Sequence, residues 1–269
     1  MGGNEEIADM KDSFTDLERF RRFLESIPLE KYREELKTIK WVEQDLPREI
    51  LPLESIFKYY WEKKEFLSFE DWFEDFWSEI NISQEKKEAL EGFKRYFFDR
   101  GLDENDWFKK GFKARMYRTW ISLLTQLDFC YVFEHVASKK KLNLSLVCNA
   151  ELDAKGIDAM VNDIGFQIAK ISERKEARAG KTRRKILPIP YAVYNLDKIN
   201  RKISNPRTRN KAKYIKMLEV FYKYFSVLKN GFVVFREDYV ERIVDNINDF
   251  NGLREIIFEI QNELTGEGI

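Results

Sequence analysis

Apolar residues recur every three to four positions through the first half of the chain, predicting helices over residues 14–27, 29–37, 68–80 and 86–98. The same spacing predicts one long, largely buried helix over 107–135. Beyond about residue 140 the pattern changes to short apolar runs bounded by turn formers. The run 157–161 is apolar apart from Asp158, and Asn162, Asp163 and Gly165 then mark a turn. Residues 166–171 therefore fold back as its hairpin partner. Two further strands are expected over 186–194 and 231–235, and helices over about 211–228, 237–248 and 253–264. This order predicts an α/β fold, with a helical N-terminal region at 1–140 and a small mixed sheet flanked by helices within 141–269. The two regions are expected to form one compact unit or two lobes sharing an interface. Residues 1–11 and 265–269 are expected to be disordered.

Composition removes several classes. No apolar run is long enough to span a bilayer and residues 1–12 lack a signal-peptide pattern, so a cytoplasmic protein with no membrane partner is expected. His135 is the single histidine. That leaves little for Ser-His-Asp catalysis or multi-histidine zinc sites, and His135 itself, within a predicted helix, reads as structural. Cys130 and Cys148 lack metal-ligand spacing and read as reduced core residues. No GxxxxGK phosphate loop is present, which argues against an NTPase. Trp72 and Trp77, at helical spacing among other aromatics, read as packing residues.

The chemistry concentrates in 151–170, ELDAKGIDAMVNDIGFQIAK. Hydrolysis of a phosphodiester requires charge neutralised on the phosphate, a water made nucleophilic and a stabilised leaving oxygen. A hard cation such as Mg²⁺, bound through one or two carboxylates plus phosphate oxygens and water, supplies these. Asp153 and Asp158 are the candidate carboxylates. The expected hairpin brings Gln167 and the Ala169/Lys170 pair beside Asp158. A lysine there would orient the attacking water or offset charge on the phosphate. The arrangement points to a metal-dependent nuclease.

The same arrangement resembles the PD-(D/E)XK nuclease core, with Gln167 where an acid is commoner. Further segments resemble the TaqI-type restriction endonucleases, in the same order: VEQDLPRE from Val42, KARMYRT from Lys113, ELDAKGID from Glu151, GFQI from Gly165, LPIPY from Leu187 and NGFVVFREDYV from Asn230. The similarity extends over about 14–250. It implies a homodimeric type II restriction enzyme that uses Mg²⁺ to cut both strands of a short palindrome in double-stranded DNA. It also implies TCGA or a related site, cut after the T, and a cognate methyltransferase acting on that site. In the family two Asp and a Lys form the catalytic set, which carries onto Asp153, Asp158 and Lys170. Relatives carry two lysines where this chain has Ala169 and then Lys170. Strand alternation puts Gln167 and Ala169 on one face and Lys170 on the other. Two readings stay open: an impaired variant whose lysine is missing at 169, or an active enzyme in which a bulge or the strand end turns Lys170 inward.

Charge adds the partner. Net charge is zero, yet residues 164–217 hold 16 Lys+Arg against 3 Asp+Glu, whereas residues 1–150 hold 25 against 30. A basic block starting at the hairpin with so few acids suits the phosphate backbone of DNA. Arg174, Arg178, Lys181, Arg183 and Arg184 are expected in a loop or frayed helix reaching over DNA. Arg207, Arg209 and Lys213 are expected at the start of a basic helix, as phosphate or base-edge contacts. Arg115 and Arg118, on the long helix, are further candidates. Two other classes fit: a structure-specific repair nuclease on the same core, and a sequence-specific DNA-binding protein that does not cut.

Overall fold

A computed structural model describes residues 15–38, 46–170, 185–191 and 194–265. They fall into two compact units, one of Phe20–Leu127, the other of the chain through Arg19 and from Asp128 onward. The expected division at 140 lies further along the chain than this boundary.

The first unit is helical, as expected. It contains helices Arg33–Thr38, Leu53–Phe57, Phe69–Ile82 and Gln84–Phe98 and leads through Glu104–Asp106 into a long helical run. Ser68 and Ser83 start two of these helices by accepting the Asp71 and Lys86 backbone N–H groups. The long helix expected over 107–135 is interrupted in register, because Trp107–Lys113 is π-helical and only Ala114–Lys139 is α-helical. Gly111 permits the π turn to approach Phe97, where an added methyl would stand 3.2 Å from the ring. Rings fill the core: Phe69 meets Tyr117 edge-on at 4.9 Å and Trp120 at 5.4 Å, and Trp72 stacks on Phe76 at 5.4 Å. Trp77 packs on Phe108 and Phe112. At the edge of this core Glu70 pairs with Lys31 and Lys113. Burial draws its carboxyl upward, but the two lysines outweigh that and hold it below the usual range.

In the second unit a four-stranded sheet runs β1 (Leu146–Val147), β2 (Ala159–Val161), β3 (Ile164–Lys170), β4 (Ile186–Tyr191), in that spatial order. β1–β2 and β2–β3 are antiparallel and β3–β4 is parallel, so the sheet is mixed. The hairpin turns at Asn162, whose φ of 54° is a left-handed conformation that asparagine tolerates. One sheet face is covered by the Asp128–Lys139 part of the long helix, where Phe129 and Phe133 pack on Phe166. Among the described residues β4 is an edge strand, and its residues 188 and 190 are prolines. Their missing N–H groups deny that edge two donors that another strand would need.

A second, two-stranded antiparallel sheet joins β5 (Phe225–Val227) to β6 (Val233–Phe235). The helix expected over 211–228 therefore ends at Tyr224, because Phe225, Ser226 and Val227 pair with Phe235, Val234 and Val233 around a turn at Gly231. Tyr191, Phe225, Phe235 and Tyr239 form one ring cluster. The buried Asp128 carboxylate accepts the Phe235 N–H at 2.7 Å, and Tyr239 donates to the Pro190 carbonyl at 3.0 Å. Helices Glu237–Asp245 and Phe250–Thr265 close the chain. Thr265, expected to be disordered, is the last residue of that final helix. Among the described residues no helix is long and apolar enough to cross a membrane.

Candidate active site

Asp153 and Asp158 sit on a short helix and the turn that follows it. Asn149 caps the helix Ala150–Asp153, its side chain accepting the Leu152 N–H at 2.9 Å while its carbonyl accepts the Asp153 N–H at 3.1 Å. The turn after the helix ends at Gly156, whose φ of 73° is a left-handed conformation that glycine adopts without steric cost. Ile157 N–H then returns to the Leu152 carbonyl at 3.0 Å. Asp153 is thus the last residue of a helical turn, and Asp158 stands immediately before β2.

Asp158 is 6% exposed. Its N–H donates to the Phe166 carbonyl at 2.8 Å, and its carboxylate accepts the Ile168 N–H at 2.5 Å. That side chain takes up a β3 N–H lying beyond the last ladder pair, Ala159↔Phe166. Burial and the nearby Asp153 charge push its carboxyl up to about 7, against the Ile168 hydrogen bond, which lowers it. With Asp153 raising the cost of ionising Asp158, the pair forms a site that attracts positive charge.

Gln167 joins them. Its Nε2 lies 3.9 Å from where a Cβ would stand on Gly156, between the two acids in sequence. β3 pairs with β4 one-to-one from Gly165↔Ile186 to Lys170↔Tyr191, so no residue is inserted in β3 up to Lys170. Alternation places Gly165, Gln167 and Ala169 on one face and Phe166, Ile168 and Lys170 on the other. The structure brings Asp153, Asp158 and Gln167 together. It places Ala169 on the Gln167 face, and Lys170 on the opposite face, exposed at the strand's last position.

The expected basic contacts divide in two. Arg174, Arg178, Lys181, Arg183 and Arg184 lie outside the described residues. Arg207, Arg209 and Lys213 are described, but the basic helix begins at Lys211, where Asn210 accepts the Lys213 N–H. Arg207 and Arg209 therefore belong to the turn before it. This turn follows a helix, Leu196–Ser204, that periodicity over so short a span did not reveal. Its signal was the Asn195 cap followed by Leu196, Ile199 and Ile203. In the first unit Arg115 hydrogen-bonds Thr119. His135 Nε2 lies 3.7 Å from Glu237, consistent with a structural role. Cys130 and Cys148 are both buried free thiols, and burial together with a hydrogen bond to Cys148 pushes Cys130 well up. No group of three or more His, Cys, Asp and Glu that could hold a metal occurs among the described residues. Two carboxylates, with a side-chain amide beside them, would nonetheless suit an ion that keeps several of its waters.

The model of the family described as TaqI restriction endonuclease matches residues 17–247. The chain belongs to the TaqI restriction endonuclease family. It is 36% identical over 239 residues to the type II restriction enzyme TthHB8I of Thermus thermophilus, covering 84% of this chain and 85% of that one. To the type II restriction enzyme TaqI of Thermus aquaticus it is 35% identical over 242 residues, covering 84% and 86%. No solved structure matches the chain. The span matched by the TaqI family model takes in Asp153, Asp158, Gln167 and the helical hairpin at 196–224, and ends before the helix Phe250–Thr265.

Proposed function

We propose that this member of the TaqI family is a type II restriction endonuclease that cuts both strands of duplex DNA at a short palindrome, TCGA or a related site. It acts as a homodimer, one site per strand, in the cytoplasm of a prokaryotic cell whose cognate methyltransferase modifies the same sequence. The observation that carries the reading is the buried carboxylate of Asp158 beside Asp153 and Gln167, in a chain of this family. A mixed sheet with Asp158 immediately before its central hairpin and Asp153 on the short helix leading into it also favours a PD-(D/E)XK core.

Asp153 and Asp158 would hold Mg²⁺, with the Gln167 amide oxygen as a weaker donor. When bound, the ion neutralises charge on the scissile phosphate and acidifies a coordinated water. The chain's own contribution is preorganisation. The Asn149 cap and the Gly156 turn fix Asp153, and the Ile168 N–H orients the Asp158 carboxylate. Lys170, the only lysine of β3, would have to bend round the strand end to orient the attacking water. Exposed cations from the basic block hold the duplex through its phosphates.

A second reading, a family member that binds its site and cuts poorly, is favoured by one observation: Ala169, not Lys170, shares the Gln167 face. Cleavage by the unaltered chain and by Ala169→Lys separates the two. Robust Mg²⁺-dependent cutting by the unaltered chain supports the endonuclease. Cutting only by Ala169→Lys supports the impaired binder. Persistent cleavage by Asp158→Ala would refute the site.

A further inference from the structure

Leu196–Ser204 is a two-sided helix. Asn195 accepts the Lys198 N–H at 2.8 Å and starts it. Ile199 is buried and Leu196 and Ile203 are half-buried on one side, and the helix packs against Lys211–Tyr224. Lys198, Arg201 and Lys202, spaced three and four apart, occupy the opposite side and are all exposed. Residues 194–216 hold eight Lys+Arg and one acid, Asp197, so the surface has too few acids of its own to neutralise it. We infer that this helix is a sequence-independent phosphate clamp, in which Lys198, Arg201 and Lys202 contact the backbone of duplex DNA. These residues anchor the substrate and do not read bases. The pattern favours a backbone contact because side chains at this spacing lie roughly 5–6 Å apart along one exposed arc. Its apolar side is spent on the neighbouring helix, which leaves no face to insert into a lipid surface.

The inference rests on the proposed function only in taking duplex DNA as the partner, and one titration separates the two. Binding of the full-length protein to a duplex containing TCGA and to one lacking it is measured in EDTA over a range of salt. The same is done for K198Q/R201Q/K202Q, whose substitutions keep helix propensity, and for Lys198→Glu alone. The clamp predicts that the slope of log Kobs against log salt falls by about 2.7 for the triple variant, about 0.9 per lost phosphate contact. It also predicts equal weakening on both duplexes and unchanged cleavage positions. Lys198→Glu should weaken both duplexes too. An unchanged slope overturns the clamp alone, as does a loss confined to the TCGA duplex, which would make these residues base readers. If the unaltered protein binds anionic phosphatidylserine vesicles as tightly as duplex and the triple variant loses both, the surface is a general polyanion face and the clamp falls. Failure of the unaltered protein to bind duplex overturns both this inference and the proposed function.

Discussion

Replacing Asp158 by asparagine should make the metal-free protein more stable while removing its chemistry. The carboxyl is moved from its ordinary 3.8 to about 7, chiefly by burial and by Asp153. At about 1.4 kcal/mol per pH unit, that distance sets about 4 kcal/mol against the ionised form in the folded state. Because the folded value is raised, the associated stability is fully present below about pH 4, where the carboxyl is protonated folded and unfolded. It is lost progressively as pH rises to about 7, since across that window unfolding releases the proton. An asparagine amide at this position never ionises, is nearly the same size, and keeps an oxygen to accept the Ile168 N–H. The Asp158→Asn variant in EDTA should therefore exceed the unaltered protein by about 4 kcal/mol near pH 8 and match it near pH 4. Urea unfolding followed by tryptophan fluorescence at a series of pH values reads this directly. Mg²⁺ at pH 8 should narrow the gap, because it stabilises only the protein with both acids. A gap that does not change with pH, or an asparagine variant less stable at pH 8, would refute the reasoning.

Four further outcomes follow from the same geometry. Asp153→Ala should abolish cleavage and leave duplex binding in EDTA within a few-fold, as gel shift and digestion of one preparation would reveal. Ala169→Lys should raise single-turnover cleavage, and a variant no faster than the unaltered chain would remove position 169 from the reaction. Gly156→Ala places a Cβ on a left-handed turn, so it should cost about 1 kcal/mol and slow cleavage by disturbing the spacing of the two acids, measurable by thermal melting and kinetics together. Tyr239→Phe leaves the Pro190 carbonyl without its buried donor, and should destabilise by about 1–2 kcal/mol without shifting cleavage positions.

Much of the fold was legible in the chain because local chemistry and tertiary packing agree. Asn162, Asp163 and Gly165 between apolar runs announced the β2–β3 hairpin, and an acid interrupting an apolar run announced Asp158. What escaped was short or decided by distant partners. β1 has two residues and the helix at Asp153 has four, too few for any period to show. The segment Phe225–Val227 continues a helical pattern, and becomes a strand because Val233–Phe235 offers it a partner and Phe225 a place in the ring cluster. The Ala169/Lys170 question was undecidable from sequence because a bulge would have reversed it. The unbroken β3–β4 register removes that insertion and leaves the strand end as the route for Lys170.

Digestion of unmethylated phage DNA by the purified protein, with Mg²⁺ or with EDTA, followed by sequencing of the fragment ends, puts the assignment to its plainest test. Discrete fragments are expected with Mg²⁺ only, all ending within one short palindrome, TCGA or a near relative. Intact DNA under every condition, or ends scattered without a common sequence, would contradict it.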